Sequence, residues 1–150
     1  MTARRLLRIA AILSLLFCLG HSAGAPWTPS PGGQSDAIVQ LMQSFHFDIF
    51  GSNRSYWDFY LGFGLQLSVF QLLASVVLWL LGGLAADAPV RARPFVLAFL
   101  VANIAQLLLV LRFFFLPPIV LSLALTVCLG LGAWMLGAPS NSDVKPRAAR

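Results

Sequence analysis

The chain contains no glutamate. Its acidic side chains are five aspartates, set against ten Lys plus Arg, and charged residues fill only 10% of 150 positions. A water-soluble domain carries about 25% charge, so this composition excludes a globule that solvates its own surface. The imbalance leaves a net charge of +5. The basic residues nevertheless sit in short clusters beside apolar runs, which excludes a nucleic-acid-binding face. Cysteine is scarce. Cys18 and Cys128 both lie in apolar runs and belong to no CxxC or metal-ligand spacing, so no disulfide framework is expected and each reads as a small apolar filler. There is no Gly-rich phosphate loop, no H-E-x-x-H, no G-x-S-x-G and no haem-binding His pair within an apolar run. No charged residue falls in the centre of any long apolar run. Ion- and proton-coupled carriers keep a titratable or coordinating group there. These absences predict no cofactor and no metal.

What the chain does have is hydrophobic length. Apolar residues make up 59% of it, and the mean hydropathy is +0.83. Four runs stand out, at about Leu6–Gly24, Phe59–Ala85, Pro94–Leu111 and Pro118–Gly137. Each is long enough to cross a bilayer, which takes about 20 residues. The second run is free of charge from Phe59 to Ala86 and opens on Tyr56, Trp57, Phe59 and Tyr60. Aromatic residues of this kind gather at the headgroup layer. The sequence therefore predicts an all-α polytopic membrane protein: a four-helix transmembrane bundle, one domain over 1–137. Pro94 and Pro118 are expected at helix starts, where a missing N–H is harmless. Pro117-Pro118 should turn the third and fourth spans into a tight hairpin.

Charge placement gives orientation. Arg4, Arg5, Arg8, Arg91, Arg93, Lys145, Arg147 and Arg150 fall on one side of four crossings, and Arg54 and Arg112 on the other. The side rich in Lys and Arg is the cytoplasmic one. Both termini are expected there, in the inner (plasma) membrane, with Trp79 and Trp134 near the same face. Basic residues, an apolar stretch and Ala23-Gly24-Ala25 also resemble a secretory signal with its cleavage site. Pro26 follows at once, so retention as a span is the expectation. The loop 25–56 should face outward. It begins as a turn-rich stretch from Pro26 to Gly33. Ser35 could then cap a short amphipathic helix carrying Ile38, Leu41, Met42 and Phe45 on one side. The tail 138–150 reads as a disordered, basic, cytoplasmic segment.

Two constellations could carry chemistry. The first is an outer-interface cluster of His21, His46, Asp48, Arg54 and Asp58. Its His and Asp side chains could serve as metal ligands or as acid and base. The spacing fits no metal signature, and His46 and Asp48 share a side only if the chain is extended there. The alternative is that these groups bond water and headgroups, with Arg54 paired to Asp58. The second is a polar stripe within the spans. Gly64, Ser68, Gln71 and Ser75 share a face of span two. Asn103 and Gln106 share one in span three, and Ser122, Thr126 and Gly130 repeat at four-residue intervals in span four. Small and amide residues so spaced let helices approach and bond across the contact. The same stripe of Ser68, Gln71, Asn103, Gln106 and Thr126 could line a ligand cavity. Counting from the span ends puts Gln71 and Asn103 at matching depth, which predicts a hydrogen bond between them.

Gly20-His21 and the run Arg54-Ser55-Tyr56-Trp57-Asp58-Phe59-Tyr60-Leu61-Gly62-Phe63-Gly64 resemble features of small uncharacterised bacterial four-span membrane proteins. That resemblance implies topology and no chemistry. Sterol isomerases and lipid-binding four-span bundles are similar in size, but they carry acidic residues and His inside the bundle, which this chain lacks at mid-depth. The expected role is structural, accessory or small-ligand-binding rather than enzymatic. The partners are the lipid bilayer and either a second copy or another membrane protein. One alternative is an enzyme or binder acting on a lipid or quinone through His46, Asp48 and Asp58. Another is a small homo-oligomeric transporter built around the stripe.

Overall fold

The computed structural model describes residues 2–24 and 32–137. Most of the turn-rich stretch expected before Gly33, and the whole tail from 138, lie outside them. In chain order the elements are α1 (Ala3–Gly24), α2 (Gln34–Ser44), β1 (His46–Ile49), β2 (Ser52–Ser55), α3 (Tyr56–Asp87), α4 (Pro89–Phe113) and α5 (Leu116–Gly137). Helices α1, α3, α4 and α5 are long and apolar enough to cross a membrane. Only between 17% and 39% of each apolar window is buried within the molecule. Side chains such as Val69, Phe70, Leu72, Leu73 and Val76 are left outward-facing. Water would not tolerate that much contiguous apolar surface, whereas hydrocarbon does.

The helix ends run two or three residues beyond the sequence expectation at several points. Pro89, not Pro94, takes the first helical position of α4. Pro94 sits inside the helix, where its missing N–H forgoes the bond to the carbonyl four residues back. Pro117 and Pro118 fall in the first turn of α5, where the backbone donors have no intrahelical partner. Only Phe114 and Phe115 separate α4 from α5, so the two form the expected tight hairpin.

The all-α expectation missed one feature. The chain after α2 forms an antiparallel two-stranded hairpin, with His46 opposite Ser55, Phe47 opposite Arg54, Asp48 opposite Asn53 and Ile49 opposite Ser52. Phe50 and Gly51 make its turn, with φ of 47° and 78°. Positive φ at both central residues is what a two-residue turn needs to match the twist of its strands. Helix α2 starts at Gly33 without a side-chain cap. Ser35 lies inside the helix rather than capping it, and no residue of α2 is buried.

The chain divides into two compact units, Met1–Leu13 with Val76–Arg150, and Ser14–Ser75. In the first, Leu7, Ala10 and Ala11 pack with Leu78, Leu81 and Ala85, with Ala92 and Val96, and with Leu125, Leu129, Ala133 and Leu136. Close approach depends on Gly82, where a Cβ would lie 3.2 Å from Arg8 Cγ and 3.3 Å from the Arg4 carbonyl. The Arg8 guanidinium lies 4.7 Å from the centre of the Trp79 ring, a cation–π contact. In the second unit an aromatic cluster ties the hairpin to α3. Phe47 stacks on Phe59 at 5.9 Å and meets Tyr56 at 5.0 Å, and Tyr56 stacks on Phe45 at 5.8 Å.

Candidate functional site

The start of α3 is built by local chemistry. Ser55 is the residue before the first helical one. Its backbone N–H donates to Asp58 Oδ2 at 2.8 Å, and the Asp58 N–H donates to Ser55 Oγ at 3.2 Å. This reciprocal pair is a capping box with aspartate in the usual glutamate place. Asp58 is thereby engaged by Ser55 rather than by Arg54, whose Nη1 donates to the Asn53 carbonyl at 3.1 Å. The expected Arg54–Asp58 ion pair is not formed among the described residues.

The strand geometry does put His46 and Asp48 on one side of the hairpin, facing Ser55 and Asn53. The groups do not converge. His46 Nδ1 donates to the Ser44 carbonyl at 2.9 Å, and Asn53 makes a long 3.5 Å contact to Asp48. His21 turns to α3 instead, where its Nε2 donates to the Gly64 carbonyl at 3.0 Å. Among the described residues no three His, Cys, Asp or Glu side chains come together as a metal-binding group.

His21 belongs to a polar seam between α1 and α3. Ser22 Oγ donates to Ser68 Oγ at 2.8 Å and Cys18 Sγ to the Ser68 carbonyl at 3.3 Å. Ser14 Oγ lies 2.9 Å from the Gln71 carbonyl and 3.0 Å from its side-chain amide. A hydroxyl has one hydrogen. Both contacts are met when Ser14 donates to the carbonyl and the Gln71 amide turns its NH2 toward Ser14. Ser14, Cys18 and His21 recur at four and three residues, and Gly64, Ser68 and Gln71 answer at four and three. The α1 half of this pattern was not expected from the sequence, in which Cys18 reads as a small apolar filler.

A second polar contact joins α4 to α5. Asn103 Nδ2 donates to Thr126 Oγ1 at 2.7 Å and to the Ser122 carbonyl at 3.1 Å, while Thr126 Oγ1 donates to that same carbonyl at 2.8 Å. The Ser122 hydroxyl itself is buried and has no partner among the described residues. Gln71 and Asn103 are both buried, at 4% and 5% exposure. Gln71 bonds to Ser14, and Asn103 to Thr126 and the Ser122 carbonyl, each pair within its own compact unit. Gln106 is half-buried and appears in none of these bonds.

On the face of α3 nearly opposite its seam with α1 lies an open cleft of about 360 Å³, lined by Arg54, Asp58, Phe59, Gly62, Phe63 and Gln66. Positions 59, 62, 63 and 66 follow the helical period, so they share a face by geometry alone. The sequence reading singled out Arg54 and Asp58 as candidates, took Phe59 as part of the aromatic belt, and gave no signal for Gln66.

Comparison with known proteins finds no family model, no characterised protein and no solved structure that matches this chain. The geometry above is therefore what bears on function.

Proposed function

We propose that the protein is a multi-pass protein of the inner membrane with both termini cytoplasmic, and that its role is structural or accessory rather than catalytic. One observation carries this reading: the two buried amides of the apolar helices, Gln71 and Asn103, bond to neighbouring helices. Ser14 and Gln71 serve each other, and Asn103 serves Ser122 and Thr126. An unpaired amide in hydrocarbon costs several kcal/mol, so such pairing is what a packing seam requires. A conduction path would need those groups turned to water or solute.

The loop end supports the same reading. Asp58 shapes a helix start, His46 braces the end of α2, and Asp48 leans on Asn53. In these bonds each of the three engages a backbone group or an amide, and not a second titratable side chain. In this reading α2 rests its row of Ile38, Leu41 and Met42 on the outer leaflet, and the hairpin is held at headgroup level by the aromatic cluster.

Flux assays on the reconstituted protein test this. Proteoliposomes are expected to show no protein-dependent proton or cation flux above empty vesicles. Flux that Gln71→Leu or Asn103→Leu abolishes would replace the accessory reading with the transporter.

A further inference from the structure

The cleft on α3 has a polar end and an apolar wall. Arg54 and Asp58 line it beside the start of α3, and Phe59, Gly62, Phe63 and Gln66 continue the lining along one face of that helix. From Asp58 to Gln66 the helix rises about 12 Å. A positive and a negative side chain line the same space without pairing. Arg54 is held by the Asn53 carbonyl, and Asp58 uses Oδ2 for Ser55, which leaves Oδ1 outside the described hydrogen bonds. A simple anion would meet repulsion from Asp58, and a simple cation would meet it from Arg54. A dipolar headgroup satisfies both.

We propose that this cleft binds a zwitterionic phospholipid bearing a primary ammonium, of the phosphoethanolamine class. Arg54 takes the phosphate, since a guanidinium suits phosphate oxygens. Asp58 Oδ1 accepts from the ammonium, which has N–H donors that a quaternary headgroup lacks. The chain runs over Gly62, the missing side chain of which leaves the floor open, between Phe59 and Phe63. The inference rests on the four-span reading only for the depth of α3. Its failure leaves the seams untouched, whereas protein-dependent flux would strike the accessory reading and not the lipid site.

The test is native mass spectrometry of the full chain in detergent, offered equal amounts of ethanolamine, glycerol and choline phospholipids with identical acyl chains. The wild type should retain the ethanolamine lipid over the other two by about tenfold, the worth of one charge-assisted hydrogen bond. Asp58→Asn keeps an acceptor for the Ser55 N–H and should erase the preference over the glycerol lipid. Gly62→Leu should abolish retention of all three. It has room to fold, because a Cβ at Gly62 meets nothing within 4 Å. Equal or greater retention of the glycerol lipid by the wild type would overturn the headgroup assignment. Undiminished retention by Gly62→Leu would overturn the site. Full displacement of the lipid by free phosphoethanolamine at equal concentration would refute the part given to the acyl chain.

Discussion

Phe50 sits in the left-handed region with φ of 47° and is fully exposed at the hairpin tip. Asparagine, aspartate or glycine is the usual choice at the first position of such a turn, because a bulky side chain there is strained by about 1–2 kcal/mol. Gly51 at the second position, with φ of 78°, is the expected residue. Phe50→Asn should therefore stabilise the hairpin by about 1 kcal/mol, read as slower amide exchange of His46–Ile49 and Ser52–Ser55. Unchanged or faster exchange would mean that the phenyl ring holds the turn in some other way. The same residue explains why the hairpin escaped sequence reading. His46-Phe47-Asp48-Ile49 alternates as a strand does, but Phe-Gly is half of a turn signal, and only the strain-bearing conformation of Phe50 completes it.

The elements are held by two kinds of bond that respond differently to substitution. At the start of α3 the capping box supplies partners for two backbone N–H groups. Ser55→Ala should cost about 1 kcal/mol, visible as exchange of the Tyr56–Asp58 amides with the rest of α3 unchanged. Ser55→Thr should restore protection, because its hydroxyl can cap as serine does. Between α4 and α5 the Ser122 carbonyl, not its hydroxyl, serves Asn103. Ser122→Ala should thus be neutral or stabilising in thermal unfolding, since it removes a buried hydroxyl that has no partner among the described residues. Asn103→Leu should destabilise, modestly if the bond alone matters, at about 0.6 kcal/mol per interhelical bond in membranes. A larger loss for Ser122→Ala than for Asn103→Leu would contradict the assignment. The helices themselves were legible from hydropathy, because length and charge-free runs leave few alternatives. Their partners were not. Depth counting fixes height and not the direction of a side chain, so it could not show that Gln71 bonds to Ser14 or Asn103 to Thr126.

Across the whole molecule, most of what places the chain in a membrane can be read from composition. Charge of 10% and four long apolar runs admit few folds other than helices in lipid. Function is less legible, because the outer His and Asp residues read alike whether they converge or not. Only the coordinates show Asp58 capping a helix, His46 bonding to Ser44 and His21 facing Gly64. The cleft was hidden for a related reason: Phe59, Gly62, Phe63 and Gln66 share a helix face by period, but only the fold shows that Arg54, from the strand before α3, lines the same space. We propose that the chain threads the bilayer with the hairpin outside and its basic clusters inside. Compartment reporters fused at Gly33 and at Val144 test this most directly. Four crossings with the basic clusters cytoplasmic predict an external signal from the first and a cytoplasmic signal from the second. The same compartment reported by both fusions, or the reverse assignment, would contradict it.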